Sequence, residues 1–176
     1  MAIKAEYLGM SLQIDDVDHE NLEYFRHCAA HGFHLQRCED CALLRYPPTT
    51  ACPWCASPRA HWTPVEGRGS VHSYTEVHHA IQPQFKPFTP YLVLLVDLDT
   101  QNGQPTPHEA LRVVGNLVTP DGHLAPPEDV ARIGIGSRVR MVFTDVTEGL
   151  ALPQWTLDAG AAQPARPWRY PDPAAA

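Results

Sequence analysis

The sequence has no long apolar run, and its basic residues are few and scattered. Lys and Arg number 13 against 20 acidic residues, a formal net charge of −7. Nucleic-acid binding depends on basic side chains that neutralise phosphates, so this balance argues against it. No apolar stretch of about 18 residues occurs, and no basic segment followed by an apolar one begins the chain. We therefore expect a cytoplasmic protein that binds neither nucleic acid nor a membrane.

Familiar catalytic motifs are also missing. No nucleophile elbow, phosphate-binding loop or His-Glu-x-x-His pattern occurs. His78 and His79 are the most suggestive pair, but adjacent residues of a regular strand point to opposite faces and cannot share one ligand. We therefore predict no catalytic residue in this chain.

Proline is abundant, with 18 residues in 176, about twice the usual share, which argues against long helices.

Residues 1–17 show no convincing period and are predicted to form a loose arm. Helical spacing first appears at Leu22, Phe25 and Cys28, which predicts a short amphipathic helix at about residues 19–31. Cys28 lies on its apolar face, where a buried thiol is expected rather than a nucleophile.

The other cysteines form two Cys-x-x-Cys pairs, Cys38/Cys41 and Cys52/Cys55, with ten residues between the pairs. Each tight turn brings two thiolates to one ion, and two such turns complete the tetrahedral shell that zinc accepts. Iron fits the same shell, and oxidation to disulfides is the alternative to metal binding. Because four cysteines close the shell, a bound zinc would be structural rather than catalytic.

After residue 66 the pattern is that of a β-protein. Short extended pieces are also expected around the cysteines, and the strand-like segments beyond them are residues 70–78, 91–98, 111–118, 138–143 and 150–157. A helical turn is predicted between the third and fourth, at residues 126–130. Five strands with this helix match an OB-fold barrel. The fold class is thus mainly β: an N-terminal helix, a rubredoxin-like zinc ribbon and a five-stranded OB-fold barrel.

Four segments are expected along the chain. They are an N-terminal arm and helix (1–32), a zinc ribbon (33–65), an OB-fold barrel (66–158) and an Ala/Pro-rich tail (159–176). The composition of the tail predicts a disordered segment or a docking arm.

Several of these motifs together resemble a known family. They are Phe33-His-Leu-Gln-Arg-Cys-Glu-Asp-Cys41, Arg45-Tyr-Pro-Pro48, Cys52-Pro-Trp-Cys55, Gly67-Arg-Gly-Ser-Val-His-Ser-Tyr-Thr75 and Gly115-Asn-Leu-Val118. Over about residues 19–157 the chain resembles the DUF35 proteins, acyl-CoA-associated proteins with a zinc ribbon and an OB-fold. It departs from them at Ala42 and Ala56, where the family usually has glycine, and in an apparent insertion at 101–108.

The resemblance implies a non-catalytic accessory subunit in a hetero-oligomer. Its partner would be a thiolase-superfamily enzyme (a thiolase, an acyltransferase or an aldolase of steroid side-chain CoA esters) or a hotdog-fold enoyl-CoA hydratase. The four cysteines carry over as ligands of a structural zinc, and no catalytic residue carries over. A nucleic-acid-binding OB protein and an independent enzyme or electron carrier remain the alternatives.

Residues 79–90, which we call the contact loop, join the first two barrel strands. The loop carries Ile81, Phe85 and Phe88, stiffened by three prolines, with Lys86 as its one charge. A rigid apolar loop loses little entropy on docking, and aromatic side chains dominate interface energetics. We predict that Ile81, Phe85, Lys86 and Phe88 meet the partner enzyme or the acyl-CoA thioester at a shared interface. The alternative is that both phenylalanines simply cap the barrel.

Overall fold

The computed structural model describes residues 2–171. Its elements are β1 (Ile3–Tyr7), β2 (Met10–Ile14), α1 (His19–Ala29), β3 (His34–Cys38), β4 (Leu44–Arg45), β5 (Ala60–Pro64), β6 (Arg68–Val77), a 3-10 helix (Pro83–Phe88), β7 (Tyr91–Leu98), β8 (Arg112–Asn116), α2 (Pro127–Val130), β9 (Arg138–Thr147) and β10 (Leu150–Leu157). None of the helices within this range has the length and apolarity needed to cross a bilayer.

The last five strands form the predicted barrel. They pair in the order β10-β9-β6-β7-β8. The sheet closes on itself through a parallel bridge between Leu117 and Trp155, where Val118 N donates to Trp155 O at 2.8 Å. Closure leaves few unpaired edges on this sheet and gives a rigid platform for the loops that join its strands.

Trp155 is the centre of the barrel core and is fully buried. Its indole N–H donates to Val113 O at 3.3 Å. A Cβ at Gly115 would lie 2.9 Å from Trp155 Cδ1, so glycine lets strand β8 approach the indole closely. One continuous core joins the barrel to the ribbon residues Phe33 and Leu35 and to the helix. Because it crosses the predicted boundaries, the division into four segments stays a prediction.

The helix confirms the sequence interpretation and ends two residues before the predicted limit. Asp18 caps its start by accepting from Asn21 N at 3.3 Å. The helix buries Leu22, Tyr24 and Cys28 against the rest of the core. The chain turns away just after it, where His31 has a φ of 54°.

The prediction of a loose arm at residues 1–17 was wrong, because β1 and β2 form an antiparallel hairpin. Its two-residue turn is Leu8-Gly9, with φ values of 50° and 79°. Hairpin turns of this kind are usually recognised by Asn-Gly or Asp-Gly, so Leu-Gly gave no such indication. Alternate residues of both strands are half-buried, and Tyr7 packs edge-on against Phe85 at 6.3 Å.

Of the two alternatives for the tail, disorder is wrong for residues 159–171, here called the strap, because they pack against the barrel. The guanidinium of Arg169 donates to Val130 O at 2.7 Å and to Ile133 O, and it pairs with Glu76. The same group lies 5.2 Å from the centre of the Tyr74 ring. Residues 172–176 lie outside the described part.

Replacing Arg169 with Ala should lower the free energy of unfolding by about 2 kcal/mol, since it removes charged hydrogen bonds and a cation–π contact. Urea denaturation of the full chain measures the change. The matched control is Arg132→Ala, whose partner Asp129 lies 3.6 Å away in an exposed pair and should contribute less than about 0.5 kcal/mol. Equal effects of the two changes would show that the strap is not anchored through Arg169.

Candidate metal centre and contact loop

Four thiols converge between the two turns of the ribbon. The Sγ atoms of Cys38, Cys41, Cys52 and Cys55 all lie within 4.8 Å of one another. The distances from Cys38 to Cys55 and from Cys41 to Cys52 are both 3.6 Å. Ligands about 2.3 Å from a tetrahedral zinc stand roughly 3.8 Å apart, so this spacing fits a single ion. The residues predicted as metal ligands therefore form one metal-binding cluster.

Backbone N–H groups favour the ionised thiols that a metal requires. The pKa of Cys38 is lowered to about 7, chiefly by the hydrogen bond from the Cys41 backbone. Burial opposes ionisation of Cys52, but the backbone N–H groups of Trp54 and Cys55 outweigh it and lower the pKa of that thiol. Burial instead raises the pKa of Cys28 to about 12, as expected for a core thiol that takes no part in chemistry.

Both metal-binding turns end in a left-handed residue. Ala42 N donates to Cys38 O at 3.1 Å and Ala56 N donates to Cys52 O at 2.9 Å. Ala42 and Ala56 have φ values of 63° and 59°. This region favours glycine, because a Cβ there crowds the following carbonyl at a cost of roughly 1–2 kcal/mol. Each turn therefore stores strain at the position where the sequence departs from the family pattern.

A buried polar network holds the connection between the two cysteine pairs. Gln36 Oε1 accepts from Arg45 Nε at 2.8 Å and from Thr49 N at 2.9 Å. Arg45 also donates to Thr49 O at 2.8 Å. The sequence motifs contain Gln36 and Arg45, but nothing in their spacing revealed this role. Both side chains are buried, so they fix the loop in a single position relative to strand β3.

The apparent insertion at 101–108 also contributes to the ribbon. The Gln101 side chain accepts from Leu44 N at 2.6 Å and donates to Leu44 O at 3.1 Å. These two hydrogen bonds replace those that a neighbouring strand would make to the backbone at the edge of β4. Sequence reasoning missed this contact because it joins segments that are far apart along the chain.

The structure separates the residues of the contact loop. Phe85 is buried between Tyr7 and Tyr91, at ring distances of 6.3 and 5.4 Å. Ile81 is 89% exposed and Phe88 is 38% exposed, and Lys86 is exposed as well. Only Ile81, Lys86 and Phe88 are therefore available to a partner on the surface of this chain, and contact at any of the four stays a prediction.

Comparison with known proteins supports the same architecture. The family model of the ChsH2 C-terminal OB-fold domain matches residues 62–144. One chain of the solved Ltp2–ChsH2(DUF35) aldolase matches with a TM-score of 0.62 and 30% identity, covering 82% of this chain and 98% of that one. A helix, a four-cysteine ribbon and an OB-fold barrel define a zinc-ribbon OB-fold protein. The chain belongs to the DUF35 family.

Two further relatives differ in their coverage. A probable enoyl-CoA hydratase alpha subunit from Thermomonospora curvata is 34% identical over 139 residues, which are 78% of this chain. The chain spans only 37% of that relative's length. A DUF35 protein of unknown function from Sulfolobus solfataricus matches with 11% identity and a TM-score of 0.47.

Replacing Cys41 with Ser should abolish stoichiometric metal binding, because it removes one of four ligands. Elemental analysis of the purified chain is expected to find one zinc per protein, and the variant should contain little. Its Tm should fall, since a metal present at about 100 times its Kd stabilises by about 2.7 kcal/mol. Cys28→Ala is the control that keeps the metal. Full metal occupancy in the Cys41 variant would show that Cys41 is not a metal ligand.

Replacing Ala42 and Ala56 with Gly should raise stability by about 0.5–1 kcal/mol at each position, because glycine adopts the left-handed region without strain. Thermal unfolding of the metal-loaded chain measures the gain. Ala29→Gly, at the end of α1, should have the opposite sign, since glycine disfavours a helix. A loss of stability in both glycine variants would show that Ala42 and Ala56 are not strained.

Proposed function

We propose that this chain is a non-catalytic accessory subunit that binds and supports a thiolase-superfamily enzyme acting on acyl-CoA thioesters. The observation that carries the proposal is the match to nearly the whole length of a chain of the Ltp2–ChsH2(DUF35) aldolase. The partner would supply the catalytic groups. This chain would supply a rigid surface beside the thioester.

The chemistry of the chain supports an accessory role. A metal held by four cysteines has no open position for a substrate. Among the described residues, five His–carboxylate pairs lie on the surface, formed by His31, His61, His72, His78 and His123, whose side chains are 42–81% exposed. Water competes for such groups, so they lack the shielded setting in which acid–base catalysts are tuned.

A second candidate partner is a hotdog-fold enoyl-CoA hydratase. The relative from Thermomonospora curvata, whose name is that of a hydratase subunit, favours it at 34% identity. In both cases the substrate would be an acyl-CoA thioester at a shared interface.

Affinity purification of the tagged chain from its source, followed by mass spectrometry, tests the proposed class of partner. A thiolase-superfamily subunit in stoichiometric amount, with acyl-CoA turnover only in the complex, is the expected result. Recovery of a hotdog-fold subunit instead would support the second candidate partner, the enoyl-CoA hydratase. Turnover by the chain alone, with no enzyme subunit bound, would overturn the accessory role.

Within such a complex, the double change Ile81→Ser and Phe88→Ser should raise the Kd for the enzyme subunit at least tenfold. Two exposed apolar side chains on a stiff loop would lose their contact area, and tenfold corresponds to about 1.4 kcal/mol. Isothermal titration measures the Kd. Val17→Ser and Tyr170→Ser remove other exposed apolar groups, which lie outside the loop, and should leave the Kd unchanged. Equal affinity in all variants would exclude the contact loop from the interface.

A further inference from the structure

The turn at residues 101–104, within the apparent insertion, carries the one Asn-Gly pair of the sequence, Asn102-Gly103. Gln104 N donates to Gln101 O at 3.1 Å and closes the turn. Asn102 and Gly103 are therefore its two central residues. Asn102 is exposed, and Gly103 has a φ of 74°, the left-handed conformation that glycine adopts without strain.

The peptide group that joins these two residues is free. In a β-turn the hydrogen bond links the outer residues, so the central peptide needs no partner within the turn. Within residues 2–171 neither the Gly103 N–H nor the side-chain amide of Asn102 has a hydrogen-bond partner. Apart from its chain neighbours, no atom lies within 4 Å of the place where a Cβ would stand on Gly103. Nothing packed against this peptide therefore hinders its nitrogen.

We propose that Asn102 is a site of spontaneous deamidation. The Gly103 nitrogen loses its proton to hydroxide and attacks the side-chain carbonyl carbon of Asn102, which forms a cyclic succinimide. The bond from that carbon to the amide nitrogen breaks, and ammonia leaves. Water then opens the ring at either carbonyl and gives aspartate, or isoaspartate with the backbone running through the former side chain. One water is consumed and one ammonia released, with no change of oxidation state.

The other two asparagines of the sequence are protected from this reaction by their backbone hydrogen bonds. Asn21 lies in α1 and Asn116 in β8. The nitrogen that would attack belongs in each case to the following leucine. Leu22 N donates to the carbonyl of Asp18, and Leu117 N to that of Leu92, both at 2.9 Å. Ring closure would break a hydrogen bond at either position, whereas at Asn102 it breaks none.

The one Asp-Gly pair, Asp121-Gly122, is protected as well. Gly122 N donates to Thr119 O at 2.9 Å. The Asp121 carboxylate accepts from Thr119 Oγ1 at 2.5 Å and lies 3.1 Å from His123 Nδ1. The Thr119 hydroxyl is the main cause that lowers the pKa of Asp121. An ionised carboxylate resists attack at its carbon, so the sequence pattern alone does not decide which pair reacts.

Conversion of Asn102 would act on the ribbon through the preceding residue. The Gln101 side chain holds both backbone groups of Leu44 at the edge of β4. Isoaspartate adds a methylene group to the backbone next to Gln101, and the new carboxylate adds one negative charge to the net charge of −7. Gln101 and Cys41 also line the same recess. We therefore expect conversion to loosen the edge of β4 and to speed metal release.

The test is incubation of the full-length, metal-loaded chain at mildly alkaline pH. Ion-exchange chromatography should resolve a more acidic form, and peptide mass spectrometry should place the change at Asn102, with Asn21 and Asn116 intact. Asn102→Gln should abolish the acidic form, because the longer side chain closes a ring less readily. Gly103→Ala should slow the conversion about tenfold, since a methyl group hinders the attacking nitrogen.

Metal release measures the consequence for the ribbon. The separated acidic form should lose its metal to a chelator about tenfold faster than the unmodified chain, the effect of about one lost hydrogen bond. Gln101→Ala in fresh protein should give the same acceleration. An intact Asn102 after incubation, or equal conversion at Asn21 and Asn116, would overturn the modification site. Conversion at Asn102 without faster metal release would overturn its coupling to the ribbon.

Discussion

The rest of the structure depends on the convergence of four thiols at one point of the ribbon. Strand β4 has only two residues and β3 and β5 have five each, which is too little sheet to be stable alone. A metal bound between the two turns would offset this deficit, because its binding free energy would become folding free energy. The ribbon residues Phe33, Leu35 and Leu44 then hold helix and barrel in one core. The metal thus acts on the functional surfaces indirectly, by fixing the parts that carry them.

Much of this was predictable because the relevant interactions are local. The spacing of the cysteine pairs predicts the cluster, and the continuous apolar run at residues 91–98 predicts a strand covered on both faces. The strand is present, but its burial alternates, with Leu92, Leu94 and Val96 buried on one face. Elements that no local sequence pattern indicates were not predicted. The turn of the hairpin is Leu8-Gly9, which lacks the usual turn residues. The strap is held by Arg169, whose partners are backbone carbonyls and a carboxylate that the composition of the tail does not reveal.

The contact loop shows the limit of sequence reasoning at the level of single side chains. Its aromatic residues were identified, but a short 3-10 helix with two prolines has no period that distinguishes inward from outward positions. Phe85 turns inward because Tyr7 and Tyr91 surround it, and Tyr7 belongs to the hairpin that the sequence did not predict. Ile81 and Phe88 of the same loop remain exposed.

Strand β9 explains how such a small chain can present one extended surface. It pairs with β6 and β10 in the barrel wall, and its residues Phe143 and Asp145 contact His31 just after the helix. Phe143 also borders two recesses, of about 350 and 370 Å³. Because a closed barrel strand moves little, groups on it lose little freedom when a ligand or partner binds. A barrel of this kind can therefore contribute binding energy to a partner through side chains that it holds in place before binding.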